Sequence, residues 1–305
     1  MGFALLAGAI WGGVIIGPSL LPEFSAVLIS CVRFALYGLV SLLIALPFAA
    51  GLLRRLTRED LGMLLRLSLA GNVVNYALLG AAVQLAGVTT ASLVNGVLPV
   101  AITFLGRGDA GSLPLRQLKL PLAMIVLGLA TITLEHPGGG TAHTLGEQLL
   151  GLACGACAVA SWAWYATHNA RYLKRSHFNS SEWSTLLGII TGAVAVAFGG
   201  LAWGLFPGLL PSEVEPARWA VFFWVCLYLA VCGSWLANAL WNACSRRLAA
   251  SLSAQMIVFE TLCACLYGFI YTQRLPSLAE VAAIALLAGG VACAAHRHRV
   301  PAVAT

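Results

Sequence analysis

The stretch MIVFETLCAC, residues 256–265, carries one carboxylate, Glu260, inside a long apolar run. A charge at the centre of a membrane helix costs about 2.5–3.5 kcal/mol on insertion scales, so it is expected to face a partner or a solvated path. Three chemistries fit Glu260. It forms a structural ion pair with Arg33, the basic residue set deepest in another apolar run. It takes up and releases a proton, coupling solute movement to proton entry. Or it attracts the amino group of a substrate. Helical spacing sorts the other polar side chains into stripes. Asn72, Asn75 and Tyr76 share one stripe, and Trp235, Asn238 and Asn242 share another, with Trp241 adjacent. Ser92, Asn95 and Pro99 form a third, in which Pro99 removes a backbone donor and frees carbonyls. Ser253, Met256 and Glu260 form a fourth, and Trp11, Trp162 and Tyr165 add aromatic faces. Together these residues are expected to line a cavity for a small amphipathic solute. The competing reading of each Asn or Ser is interhelical glue. Trp183, Trp203, Trp219 and Tyr271 lie near the ends of apolar runs and read as interfacial anchors.

The elements that must hold these groups are membrane helices. Of 305 residues, 60% are hydrophobic and 9% charged, and mean hydropathy is +0.90. A soluble chain carries about a quarter charged residues. Ten apolar runs are expected to span, at about 3–20, 25–49, 60–81, 87–106, 115–134, 147–170, 183–206, 217–241, 250–272 and 278–296. Each run must satisfy its own backbone in lipid, which a helix does. The fold class is therefore an all-α integral membrane protein with ten transmembrane helices. Glu260 falls about ten residues into its span, about 15 Å along the helix and near the midplane.

Charge placement orients the chain. Arg54, Arg55, Arg58, Arg66, Arg107, Arg116, Lys119, Arg171, Lys174, Arg175, Arg246, Arg247, Arg297 and Arg299 all follow even-numbered spans. The odd-numbered exits hold Arg218 and Arg274 and most of the acids, Glu23, Glu135, Glu147, Glu213, Glu215 and Glu280. The positive-inside rule puts both termini in the cytoplasm. The basic balance thus reflects topology, and no nucleic-acid partner is expected. His168 reads as an interfacial histidine at the inner end of span six. Cys154 and Cys157 have CxxC spacing but no second pair, so no metal or cofactor is expected.

The halves resemble each other. NYALLGAAVQLA (75–86) aligns without a gap on NALWNACSRRLA (238–249), pairing Asn75 with Asn238. LPLAMIVLGLATI (120–132) aligns on AAIALLAGGVACA (282–294), with Gly128 opposite Gly290. GAIWGG (8–13) and AVASWAW (158–164) place tryptophan in the first span of each half. Each half is expected to hold five spans, residues 1–135 and 147–299, joined by a Gly-rich linker at 136–146. Five is odd, so the repeats are inverted, an arrangement found in secondary transporters.

These segments, with CVRF (31–34), GVTTASLVNGVLPV (87–100), YTQRLPS (271–277) and LLAGGV (286–291), resemble the EamA-type ten-helix branch of the drug/metabolite transporter superfamily. SWAWYATHNARYLKR (161–175) resembles the amino-acid exporter members. The resemblance covers nearly the whole chain. It implies a multi-pass inner (plasma) membrane protein that exports small metabolites by alternating access. Apolar or aromatic amino acids are the implied substrates, with lipophilic-cation/proton antiport as the alternative and a non-transporting membrane protein after that. The expected partners are the solute and the lipid bilayer, with proton coupling through Glu260 one of its three readings; the oligomeric state is left open. Arg33 matches the family's recurring arginine in span two. The family's mid-span proline is Thr261 or Leu262 here, and its acid after span nine is Gln273. No nucleophile–base pair or HExxH motif indicates an enzyme.

Overall fold

A computed structural model describes residues 2–95, 97–109, 112–135, 144–205, 211, 214–273 and 275–299. Most of the expected linker, 136–143, lies outside them. The described residues are helical, with no strand among them. The helices are α1 (Gly2–Ile16), α2 (Ala26–Ala45), α3 (Ala49–Arg55), α4 (Arg58–Ser68), α5 (Asn75–Asn95), α6 (Leu98–Leu105) and α7 (Leu115–Glu135). They continue with α8 (Leu145–Arg175), α9 (Ser180–Leu205), α10 (Pro216–Tyr228), α11 (Ala237–Ser245), α12 (Ala250–Met256), α13 (Val258–Thr272) and α14 (Leu278–Arg299). Two π-helical segments, Leu69–Val74 and Leu229–Leu236, join α4 to α5 and α10 to α11.

Among the described residues, seven runs are long and apolar enough to cross a bilayer: Val27–Arg55, Arg58–Ala82, Leu145–Arg175, Ser180–Leu201, Pro216–Ser245, Leu252–Tyr271 and Leu278–Arg297. Gly2–Val14 is a shorter apolar helix. The fourth and fifth of the ten runs read from sequence fall on α5, α6 and α7, which include side chains outside the described residues, and neither is among these seven. The fourth falls on α5 and α6, where the helix is interrupted just before Pro99 and α6 is only 8 residues long. The fifth falls on α7, a 21-residue helix with Pro121 inside it. The outward faces are apolar, as a lipid-facing surface requires. Leu43, Val196 and Trp224 are 56%, 63% and 66% exposed.

Helical backbone is unbroken through α5, although the sequence predicts a loop between spans three and four at residues 82–86. The contacts nevertheless require the chain to double back there. A straight helix would separate Ala82 from Val94 by about 18 Å. Yet a Cβ added at Gly155 of α8 would lie 3.5 Å from Ala82 Cβ and 3.2 Å from Val94 Cγ1. One point within reach of both means that the chain reverses between them.

The packing is reciprocal. α2 lies along α9, α7 along α14, α1 along α11 and α13, and α8 along α5 and α6. A Cβ on Gly128 of α7 would meet Ala283 O at 2.9 Å and Leu287 Cγ at 3.0 Å; one on Gly290 of α14 would meet Pro121 O at 3.0 Å and Ile125 Cγ1 at 2.8 Å. Gly128 and Gly290, Pro121 and Ala283, and Ile125 and Leu287 each differ by 162 in position. Each helix thus presents the same small-residue notch to the other. Gly38 of α2 and Gly192 of α9 also meet backbone to backbone.

Ends are fixed by polar contacts. Thr57 with Asp60, and Thr144 with Glu147, form capping boxes that start α4 and α8. Asp60 also accepts the Tyr172 hydroxyl at 2.7 Å, tying the start of α4 to the end of α8. At that end of the bundle Arg55 pairs with Glu182, Arg171 with Asp109 at 2.8 Å and Arg175 with Glu59 at 3.3 Å. Arg218, at the start of α10, pairs with Glu23 at 2.7 Å. The Arg218 hydrogen bonds hold the Glu23 carboxyl below its ordinary value.

One expectation about anchors is corrected. Trp183 is fully buried in the core, where it stacks on Tyr172 and donates to Asn169 Oδ1 at 2.9 Å. Position near a span end does not make an anchor when a neighbouring helix covers the ring. Trp219 is partly buried against Phe24 and Phe222, while Trp203 and Tyr271 are exposed.

Candidate functional site

The π segments set the site. A π turn bonds residue i to i+5, so it widens the helix and disturbs the i→i−4 ladder, which leaves carbonyls open to other donors. Ala70 O, in the first segment, accepts Ser161 Oγ of α8 at 2.8 Å. Gly233 O, in the second, accepts Trp11 Nε1 of α1 at 2.8 Å. Ala70 and Gly233 differ by 163 in position, as do Asn75 and Asn238 just beyond them. The two bonds therefore join equivalent carbonyls crosswise, α8 to the first segment and α1 to the second. Tyr165, one turn beyond Ser161, packs its ring on Gly71; a Cβ there would lie 2.6 Å from Tyr165 Cγ. Its hydroxyl donates to Asn238 Oδ1 at 3.4 Å.

Aromatic rings fill the space between α1 and α8. Trp241 of α11 lies 5.6 Å from Trp11 and 6.5 Å from Trp162, centroid to centroid, and Trp162 lies 5.8 Å from Tyr165. Trp241 is the hub of this group, and its buried Nε1 has no acceptor in the protein. It stands adjacent to the stripe that carries Asn238 and Asn242, and the sequence did not single it out as a site residue. A second buried chain runs beside it: Trp183 Nε1 donates to Asn169 Oδ1, and Asn169 Nδ2 donates to Asn242 Oδ1 at 2.8 Å. Asn242 Nδ2 is left without an acceptor. Asn169 is a member that the sequence reading missed.

Not every residue of the stripes joins this group. Asn72 Nδ2 donates to Thr191 Oγ1 at 3.4 Å, and Trp235 Nε1 donates to Thr185 Oγ1 at 2.9 Å. Both therefore reach into α9 as interhelical glue and do not line the aromatic group. Met256, expected in the cavity, packs in an apolar cluster with Ala4, Cys244 and Leu252. A thioether has no polar need that would draw it out of that cluster. Asn75 is buried, Asn95 is exposed at the end of α5, and the Ser92 side chain lies outside the described residues. His168 stacks on Trp164 with ring centroids 4.2 Å apart.

Arg33 and Glu260 do not form the ion pair that the sequence allowed: no nitrogen–oxygen approach within 4.0 Å joins them. Arg33 has other partners. Its Nε donates to Ser234 Oγ at 3.1 Å and its Nη1 to Tyr76 Oη at 3.3 Å. Its guanidinium also lies 5.3 Å from the Phe34 ring centroid and 5.7 Å from that of Tyr76. Ser234 belongs to the second π segment, so Arg33 braces that segment against α2 and Tyr76.

Glu260 sits in the first turn of α13. The span is interrupted just before it: Ile257 N donates to Ala254 O at 3.3 Å and Glu260 N to Ile257 O at 2.9 Å. The α5–α6 span shows the same tightening, with Val97 N to Val94 O at 3.1 Å and Val100 N to Val97 O at 2.9 Å. Only this second break has a proline, the buried Pro99. α6 and α12 touch where Gln255 Nε2 donates to Thr103 Oγ1 at 3.4 Å. α1 closes over the start of α13: a Cβ on Gly8 would lie 3.2 Å from Glu260 N, and one on Gly12 would lie 2.8 Å from Ala264 N. Among the described residues no three His, Cys, Asp or Glu side chains are grouped to hold a metal. The nine cysteines are free thiols.

The crosswise bonds give a direct prediction. Trp11→Phe keeps a ring and removes the donor to Gly233 O, while Ser161→Ala removes the donor to Ala70 O. Each is expected to cost about 0.6 kcal/mol, the mean for a membrane interhelical hydrogen bond. Unfolding in a detergent titration measures it, and no change in either variant would show that the bonds do not form.

No protein-family model matches the chain. The inner membrane protein YtfF of Escherichia coli (strain K12) is 32% identical over 300 residues, covering 96% of this chain and 93% of its own length. A solved protein structure superposes with a TM-score of 0.71 at 20% identity, covering 97% of this chain and 96% of its own. That likeness shows the fold alone.

Proposed function

The chain belongs to the family of the inner membrane protein YtfF, and from that premise we propose that it is a secondary transporter of small amphipathic solutes. It is a multi-pass inner-membrane protein, with seven apolar helices able to span among the described residues. Its chain forms two inverted repeats of the drug/metabolite transporter type, each of five spans, divided at the linker. The observation that carries it is the crosswise pair of bonds from Ser161 to Ala70 O and from Trp11 to Gly233 O. A pseudo-twofold relation generates such a pair, and the reciprocal notches at Gly128 and Gly290 support the same relation. Inverted repeats with interrupted spans characterise carriers that work by alternating access.

The solute binds among Trp11, Trp162, Tyr165, Trp241 and Asn238. Their rings suit an apolar or aromatic body, and Trp241 Nε1 and Asn242 Nδ2 are donors with no protein acceptor that suit a carboxylate or carbonyl. An amino acid offers both, and export is the direction we assign. The test is flux of a labelled amino-acid panel from proteoliposomes of the full chain, with and without a pH gradient. We expect the aromatic and branched members to move faster than the charged ones. If no amino acid moves and lipophilic cations do, the substrate assignment fails and antiport of such cations replaces it. If no solute of either panel moves, the transporter reading fails.

A further inference from the structure

A pocket of about 550 Å³ opens at the end of the bundle that carries the Arg55–Glu182 and Arg175–Glu59 pairs. Lys174, His177, Arg246 and Arg247 line it, and none of its lining residues is acidic. Arg246 shapes one wall by donating to the carbonyls of Phe178 and Ser176. His177 Nε2 bonds to Arg55 O at 3.0 Å, which fixes the loop between α8 and α9. The nearby carboxylate of Glu182 is already taken by Arg55 and by Asn179 N. Positive charge therefore gathers in a concave site with no counter-charge among its lining residues.

Arg247, which lines the pocket, also stands beside an exposed apolar face. The Arg247 guanidinium lies 5.2 Å from the Phe3 ring centroid of α1, and Phe3 and Leu6 are both exposed. An occupant can thus place a phosphate among the basic groups and a chain along the apolar face of α1. We propose that this pocket binds the phosphate of an anionic phospholipid from the bilayer. Basic recesses at the ends of membrane helices recognise such headgroups by charge and by hydrogen bonds to phosphate oxygens. The assignment is independent of what the protein transports.

The test uses the purified full chain and native mass spectrometry, with phosphatidylglycerol competing against phosphatidylcholine of the same acyl length. The wild type is expected to retain the anionic lipid preferentially. Lys174→Gln and Arg247→Gln should each reduce that preference about fivefold, and together roughly twentyfold. Arg107→Gln with Arg116→Gln removes two basic charges that do not line the pocket and should leave the preference unchanged. Equal retention of both lipids by the wild type overturns the proposal. So does an equal loss in the two double variants, which would mean general surface charge. Inorganic phosphate, titrated at matching concentrations, is expected not to displace the lipid. Displacement would assign the site to a soluble phosphate and overturn the lipid assignment. Melting curves keep the test sound: Lys174 and Arg247 are exposed, so both variants should melt with the wild type. If the double variant is unfolded, Lys174→Gln alone carries the comparison, and an unchanged preference there counts against the pocket.

Discussion

Glu260→Gln is expected to abolish the acceleration of solute flux by a pH gradient, with driven flux falling at least about tenfold, the effect of about 1.4 kcal/mol. The substitution keeps the shape of the side chain and removes its ability to release a proton. The case rests on partners. A carboxylate in a membrane helix is either neutralised by a fixed cation or used. Arg33 was the fixed cation on offer, and it is committed to Ser234, Tyr76 and two aromatic rings. Glu260 makes no ion pair within 4.0 Å and sits at a helix interruption covered by α1. A group placed there can exchange a proton without breaking a salt bridge. The contrast with Arg33 sharpens the test. Arg33→Gln strips donors from Ser234 and Tyr76 in a buried setting, and should cost about 1.5–3 kcal/mol of stability as a lost charged hydrogen bond. Glu260→Gln should melt with the wild type while losing gradient-driven flux. If the glutamine variant still responds to the gradient, Glu260 is not the coupling group. If instead it unfolds as readily as Arg33→Gln, the acid is structural.

Gly38→Leu should have the largest effect on folding of any single substitution considered. A Cβ on Gly38 would sit 2.6 Å from Gly192 Cα and 3.3 Å from Gly188 O. These are backbone atoms, so no rotamer change on α9 can make room. Small residues let membrane helices approach this closely, and that approach supplies the dispersion energy of the α2–α9 seam. Alanine already forces the helices apart, at about 1–3 kcal/mol for an overpacked core. Leucine adds three more carbons and should prevent the native seam from forming. Denaturation in mixed micelles reads the alanine variant; yield of monodisperse protein reads the leucine variant. Gly51→Leu is the control, since a Cβ at Gly51 meets nothing within 4 Å. Wild-type stability in Gly38→Ala would mean that the seam is looser than the contacts require.

Much of this was legible in the chain because the bilayer is a severe solvent. It demands long apolar helices, and hydropathy alone located most of them. Spacing by turns put Asn238 on a polar stripe, and alignment of the halves put Trp11 and Trp162 in the first span of each; that Asn238 meets Tyr165 is seen only in the packing. Gly128 and Gly290 could be paired by alignment before either was seen to face the other's helix. What spacing could not give is the partner of each polar group. Asn72 and Trp235 lie on the stripes that carry Asn75 and Asn238, yet both turn to threonines of α9, because a face has more than one neighbour and only packing selects it. Trp183 lies near a span end and is nevertheless core, since α8 covers it. The π segments have no compositional signature; a widened turn is recognised only by its hydrogen bonds. The sequence determined a membrane-embedded helical protein with a rare central carboxylate and repeated small-residue notches. The tertiary structure decided that Arg33 is not that carboxylate's ion-pair partner, that Trp241 is the hub of the aromatic group, and that two equivalent carbonyls are held crosswise. Each of these depends on the distance between residues far apart in the chain, which helix packing alone sets.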